Sequence, residues 1–319
     1  MNSSLSYAPF VSVILPVRNG QTTIEACLVS LLAQEFPRDR YEVVVIDDDS
    51  QDGTINIVRN FPVRLYSETL HSADAARNTG ILHARGKIIA FIDADCVADP
   101  RWLGFLTRRF SSEAVIGVAG KTLAYPADNL VVEFYENSLQ PHRIRPDPTE
   151  PLAVPTPNIA YRRDVLLEVG LFNGSIPGAG VGDVDLSWRI QVYTGKRILY
   201  EPDAVILHKY ETTLSGLYKQ YRRYGFNEII LATLHKGKPY HARTPKYQLR
   251  RVLSQSRAAV MYILSAAYRF ASWPCHKKDK RYVLSPLLQL IAETGDIHGK
   301  LQGCVATKGF QYYPFEQDH

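Results

Sequence analysis

Over its first hundred residues the chain switches repeatedly between two hydrophobic periods. "VSVILPV" (11–17) is a continuous apolar, β-branched run, as in a strand covered on both faces. Behind it, Ile24, Cys27, Leu28, Leu31 and Leu32 recur at helical spacing within 22–33. "YEVVVIDDDS" (41–50) predicts a second buried strand that stops abruptly in carboxylates, and "DGTINIVRNF" (52–61) opens with turn chemistry and continues as a short helix. "VRLYS" (63–67) reads as a third strand. "SADAARNTGILHAR" (72–85) reads as a helix capped at Ser72, and "KIIAFIDAD" (87–95) as a fourth strand. Strands alternating with helices in this way predict βαβ crossovers and an α/β fold with a mostly parallel sheet.

Beyond residue 110 the alternation weakens. Six prolines within 141–157 predict an extended, partly mobile connection. "NIAYRRDVLLEVGLF" (158–172) restores a strand and a helix, and "GSIPGAGVGDVDLSWRIQVYTG" (174–195) is a glycine-rich loop running into an amphipathic helix. "RILYEPDAVILHKY" (197–210) predicts two short strands joined at Pro202, and from Thr213 onward the pattern is mostly helical.

Composition narrows the function class. The four cysteines, Cys27, Cys96, Cys275 and Cys304, are scattered without a C-x-x-C pair, which argues against a disulfide framework and suits a reducing compartment. The opening residues lack the basic and small-residue pattern of a signal peptide, and no uncharged apolar run reaches the roughly 18–20 residues needed to span a bilayer. The expectation is a cytoplasmic protein. Its net charge of +5 is unevenly spread: 216–282 holds 15 Lys/Arg against 2 Asp/Glu, a balance of +13, leaving −8 on the remainder. Such a tail suits an anionic partner or, more blandly, a solvated helix face. No nucleic-acid-binding module accompanies it, so no nucleic-acid partner is expected.

Three strands end in polar residues: Arg18-Asn19, Asp47-Asp48-Asp49 and Asp93-Ala94-Asp95. In parallel sheets ligands bind outside those carboxyl ends. The stretch Asp93-Ala94-Asp95-Cys96-Val97 also fits the nucleophile motif of haloacid-dehalogenase-like phosphatases, with Asp93 attacking phosphorus. That motif belongs on a first strand, whereas here it lies on the fourth. Zinc held by Asp95, Cys96 and a distant His208 is weaker still, because zinc ligands come in closely spaced pairs. A non-catalytic scaffold that binds sugar nucleotide or membrane is the remaining rival.

Taken together, "VSVILPVRNG", "VVVIDDDSQDGT", "ADAARNTGILHARGKIIAFIDADC", "PNIAYRRDVLLEVGLF", "GDVDLSWRI" and "AVILHKYETTLSGLYKQYRRYG" resemble a family 2 glycosyltransferase with the GT-A fold, over residues 10–230. The resemblance implies an inverting enzyme that transfers a sugar from a nucleotide donor, UDP-linked by preference, to a glycan or lipid-linked glycan. It implies Mn²⁺ or Mg²⁺ at the diphosphate. By resemblance, Asp95 binds the metal with His208 completing its shell, and Asp93 faces the ribose or a metal-bound water. Asp47 or Asp48 hydrogen-bonds the base, Pro16 and Arg18 line its pocket, and Arg77 reaches base or phosphates. Asp183 aligns with the general base, while Asp185, Trp188, Gln220, Arg223 and Tyr224 are candidate acceptor or diphosphate contacts. Two departures stand out: Gly182 replaces a common Glu, so one contact is absent or supplied elsewhere, and Asp49 replaces a usual glycine. The glycines at 178, 180 and 182 suit a loop that closes over the substrates.

The expected organisation is a nucleotide-sugar half at 1–110, an acceptor and catalytic half at 111–212, and a basic helical region at 213–319. Apolar stretches in that last region are long enough to lie on a membrane but not to cross one, predicting peripheral attachment to the inner face of the cytoplasmic membrane.

Overall fold

The computed structural model describes residues 10–139, 152–174, 176, 180–238, 245–276 and 280–307. The chain divides into two compact units, Met1–Ala127 with Leu139–Tyr210, and Asp128–Ser138 with Glu211–His319. Most of the proline-rich stretch 141–157 lies outside the described residues.

The first unit is built on an eight-stranded sheet: β1 (Val11–Val17), β2 (Tyr41–Asp48), β3 (Arg64–Glu68), β4 (Ile88–Phe91), β5 (Cys96–Ala98), β6 (Gly117–Ala124), β7 (Ile159–Arg162) and β8 (Leu199–His208). Their order is β3-β2-β1-β4-β7-β6-β8-β5. The first four strands pair in parallel, as the alternating pattern predicts. β7 then enters antiparallel to β4, and the far half of the sheet is mixed.

Alternate residues of the central strands serve two cores. Val11, Val13, Leu15 and Val17 join one with Cys27, Leu28 and Leu31 of α1 (Ile24–Leu32) and with Trp102 and Leu106 of α4 (Trp102–Thr107). Ile14, Val44 and Ile46 join the other with Ala76 and Ile81 of α3 (Ala73–His83), Leu166 of α6 (Arg163–Glu168), and Leu186 and Ile190 of α7 (Gly182–Thr194). Both faces of the sheet are covered, which is why these strands read as unbroken apolar runs. α3 lies so close to the sheet that a Cβ at Gly80 would sit 2.5 Å from Ile14. α2 (Thr54–Val58) completes the N-terminal crossovers.

Two expectations are corrected. The strand before the paired aspartates ends at Phe91; Asp93 and Asp95 sit in the turn between β4 and β5. The segment around Pro202 is one strand, not two. β8 pairs with β6 from Leu199 to Glu201 and again from Val205, with a register shift opposite Gly120/Lys121. Pro202 falls within that bulge, where its missing N–H interrupts no ladder.

The second unit contains α5 (Leu130–Leu139), α8 (Leu214–Leu234), α9 (Pro245–His276) and α10 (Lys280–Ala306). Thr213 caps α8, its Oγ1 accepting from the Gly216 N–H at 3.0 Å. Inside this unit Lys300, 1% exposed, meets Asp296 at 2.5 Å, Glu228 at 3.2 Å and Gln255 at 2.9 Å. That buried cluster pins three helices in one register, because a lysine left unpaired there would be strongly unfavourable.

Candidate active site

The carboxyl ends of β1 and β2 carry loops that tie to each other. Asn19 N–H donates to Ser50 Oγ at 2.9 Å, and Gln51 N–H returns to Asn19 Oδ1 at 2.8 Å. Gly20 N–H donates to Thr54 Oγ1, Gln21 N–H to Asp52, and Gly53 N–H to Gln21 Oε1. The "RNGQ" and "DSQDGT" stretches are therefore halves of one reciprocal lattice. Asp49 takes φ 57°, the left-handed region where glycine is unstrained and Asp is tolerated, so replacing the usual glycine keeps the turn. Pro16 lies at the end of β1 and Arg18 is exposed just beyond it.

Asp47 and Asp48, at the end of β2, are 2% and 5% exposed. Asp47 Oδ2 accepts from Ser50 N–H at 3.1 Å, but Oδ1 of both residues is buried with no hydrogen-bond partner. A buried acceptor left unpaired costs the fold about 1–3 kcal/mol, so each of these oxygens fits a partner that brings a hydrogen-bond donor.

The β4–β5 turn and the end of β8 supply the next group. Cys96 and His208 are direct partners in the antiparallel pair, which brings His208 Nε2 to 3.2 Å from Asp95 Oδ1. One ligand atom each from Asp95, Cys96 and His208 falls within 4.8 Å of the others. Burial pushes the Asp95 carboxyl up, but its hydrogen bond and charge pairing with His208 prevail and hold it below the usual value. Burial pushes the Cys96 thiol well up, leaving a neutral thiol behind a harder oxygen–nitrogen pair. An anionic oxygen and an imidazole nitrogen on one side of a turn fit a divalent cation. Sequence spacing discounted this trio because it sees 96 and 208 as distant; strand pairing makes them neighbours.

Arg77 is buried, and its guanidinium forks. Nη1 donates to Asp74 Oδ1 at 3.1 Å and Nη2 to Asp93 Oδ1 at 3.0 Å. Burial works against its charge, yet Asp93, Asp74 and Asp183 outweigh that and raise its pKa. Asp93 thus faces the site already braced by a cation. Asp74 belongs to no sequence motif; its one signal is that it is a carboxylate in the first turn of a helix that also carries Arg77.

Asp183 is half-buried at the start of α7. Its oxygens accept from the Val184 N–H at 2.8 Å and the Thr156 N–H at 3.3 Å. Burial pushes its pKa up to about 6; Arg77 opposes this and Asp74 adds to it. A carboxylate in that range is ionised at neutral pH yet basic enough to accept a proton. Asp185, two residues on, is buried and paired with Arg189 at 2.8 Å. Arg189 in turn donates to the Val169 and Leu171 carbonyls, so Asp185 anchors a turn. Trp188 is buried on the same helix. Gln220, Arg223 and Tyr224 lie on α8 of the second unit, where Arg223 donates to Gln220 Oε1. Gly180 has φ 92°, and Gly178 lies outside the described residues.

Comparison with known proteins bears on the family and the fold. The family model described as "Glycosyl transferase family 2" matches residues 12–170. Glycosyltransferase AglE of Haloferax volcanii is 32% identical over 225 residues, 68% of this chain and 72% of that protein. The pre-mycofactocin glycosyltransferase of Mycobacterium tuberculosis is 29% identical over 240 residues, covering 72% of this chain but 48% of that longer protein. Among solved structures, the mannosyltransferase PcManGT from Pyrobaculum calidifontis, in complex with GDP-Man and Mn²⁺, superposes with a TM-score of 0.62. It covers 93% of this chain and 88% of that one at 22% identity, a likeness of fold.

Proposed function

We propose a division of labour within the site, proceeding from the fact that this chain belongs to glycosyltransferase family 2. It is a metal-dependent inverting glycosyltransferase that uses a nucleotide-sugar donor. In the proposed reaction the base of the donor is held by Asp47 or Asp48, in a pocket lined by Pro16 and Arg18. Asp93 takes the ribose side, braced by Arg77. Asp95 and His208 are the residues that would hold the cation, which when bound supplies charge neutralisation for the departing diphosphate. Asp183 takes the proton of the acceptor hydroxyl as its oxygen attacks the anomeric carbon. The bond to the diphosphate breaks on the opposite face, inverting that carbon.

The observation that carries this reading is a buried, unpartnered carboxylate oxygen on Asp47 and another on Asp48, at the end of β2, on the edge where β4 runs out into the turn of Asp93 and Asp95. Uracil presents one N–H to such an acceptor and guanine presents N–H donors as well, so UDP remains the leading donor on the family resemblance and GDP is the alternative. A thermal-shift panel of UDP, GDP and their sugar conjugates, with Mn²⁺ or Mg²⁺, tests it. The UDP series with metal should stabilise the protein most, and Asp95→Ala should lose the metal-dependent part. A larger GDP shift reassigns the base, and no nucleotide response at all sinks the reading. The phosphatase alternative falls with family membership and with Asp93 tied to a buried arginine. A non-catalytic scaffold would bind donor yet never turn it over.

We propose further that the acceptor is a glycan or lipid-linked glycan met at the inner face of the cytoplasmic membrane, to which the protein attaches peripherally. α9 supports this. Val260, Met261, Ile263, Leu264, Tyr268 and Phe270 are each more than half exposed, and residues 245–276 hold five Lys/Arg with no Asp or Glu. An apolar face set among basic residues suits an anionic lipid surface. Among the described residues, no helix is long and apolar enough to cross a membrane.

A further inference from the structure

The first residue of α7, Gly182, has no side chain, and a carboxylate from elsewhere stands in the space one would begin to fill. A Cβ built at Gly182 would lie 2.0 Å from Asp74 Oδ2 and 2.5 Å from its Cγ. The intruding group comes from the first turn of α3, is buried, and is held at 3.1 Å by one arm of Arg77. The other arm of Arg77 holds Asp93 at 3.0 Å. The neighbour of Gly182 in the chain is Asp183. One carboxylate therefore touches the backbone that carries Asp183 and, through one guanidinium, fixes the orientation of Asp93.

From this geometry we infer that Asp74 is a positioning residue for transfer, and that Asp74 and Gly182 are an exchangeable pair. The carboxylate beside Asp183 enters from α3 here, and an acidic side chain at 182 could supply it only if Asp74 withdrew. The inference rests on the reading of Asp183 as base and Asp93 as donor-side residue, and adds a residue that reading does not contain. Burial is the physical reason for the exclusivity. Two carboxylates in this one volume would share a single buried guanidinium that already serves Asp93, and an uncompensated buried charge is strongly unfavourable.

The test is a double-mutant cycle on the full chain with Asp74→Ala, Gly182→Glu and both together. Each single substitution should lower kcat/KM by about thirtyfold or more, with the loss in kcat. The double variant should recover about tenfold over either single one. Affinity for the nucleoside diphosphate, read by calorimetry without turnover, should change less than about threefold throughout. Asp74→Asn keeps the shape and the acceptor oxygen; it should stay folded at the assay temperature and lose kcat, which separates positioning by charge from packing. If Gly182→Glu does not fold alone, recovered folding in the double variant is the same coupling read as Tm. The inference is overturned if Asp74→Ala and Asp74→Asn keep parental kcat. It is also overturned if the double variant is no better than the worse single one, or if the loss lies only in nucleotide affinity. Parent and Asp183→Asn run in the same assay distinguish the two failures: an inactive parent or an active Asp183→Asn sinks the underlying reading instead.

Discussion

In the proposed reaction Asp183 concentrates the residue-scale chemistry, because one displaced proton equilibrium would govern both activity and stability. As the proposed base it must be ionised, so kcat/KM should rise with pH through about 6 and level above it. Asp183→Asn should remove transfer by about 10²–10⁴-fold while leaving donor binding intact. The stability effect has the opposite sense. Burial raises the carboxyl from its ordinary 3.8 to about 6, so the folded chain holds this proton more tightly than the unfolded one. Its contribution is fully present below the ordinary value and is lost as pH rises through about 6. Thermal denaturation should therefore show Asp183→Asn gaining Tm relative to the parent at pH 8, with the gain vanishing below the ordinary carboxylate range. Equal differences at both pH values would contradict the burial of this group. Most acidic members of the site were legible as residues, since carboxylates closing apolar runs are conspicuous. Asp74 was not, because its significance lies in what it touches.

At the scale of elements, α3 does more than cross between strands. Its Ser72 cap accepts from the Ala75 N–H, and its first two turns present Asp74 and Arg77 to the site. Ser72→Ala should cost about 1 kcal/mol of stability by chemical denaturation. It should also lower activity, because the turn it frays is the one that holds Asp74. A variant that loses stability but keeps full activity would show that Asp74 does not depend on the cap. The cap and the helix were readable from "SADAARN", as were β1, β2 and α1, whose periods are set by burial on both sheet faces. Less was readable around Pro202. A proline in an apolar run looks like a break, and only the register shift between β6 and β8 shows the strand passing through it as a bulge. Between 110 and 157 the hydrophobic pattern predicts no element, yet β6 and α5 lie there. β6 mixes glycine, lysine and threonine because its neighbours, not its own pattern, keep it in the sheet.

For the whole molecule, the charge asymmetry acquires a location. The basic stretch 216–282 falls within the second unit, and its longest helix exposes apolar side chains that its own unit leaves uncovered. Full-length protein should co-sediment with vesicles containing anionic lipid at low salt, and the bound fraction should fall as salt rises. Ile263→Glu with Leu264→Glu should reduce binding by about tenfold or more at constant Tm, since both side chains are more than half exposed. Binding unchanged by those substitutions, or absent from anionic vesicles, would remove the membrane proposal; a dimer that buries the same face would explain it instead.

What the sequence by itself determined is the set of features whose cause is local: two-sided burial in the parallel strands, helical periods between them, carboxylates where strands end, and with these the family. What only the tertiary structure decided are the relations between distant positions. His208 stands beside Asp95 and Cys96 because β8 pairs with β5. Arg77 is shared by Asp74 and Asp93, and the bare α-carbon of Gly182 is covered by a carboxylate 108 positions earlier in the chain. Period and composition act over a few residues. The electrostatics of this site depend on distances of about 3 Å between atoms separated by up to a third of the chain, and only the folded backbone sets those.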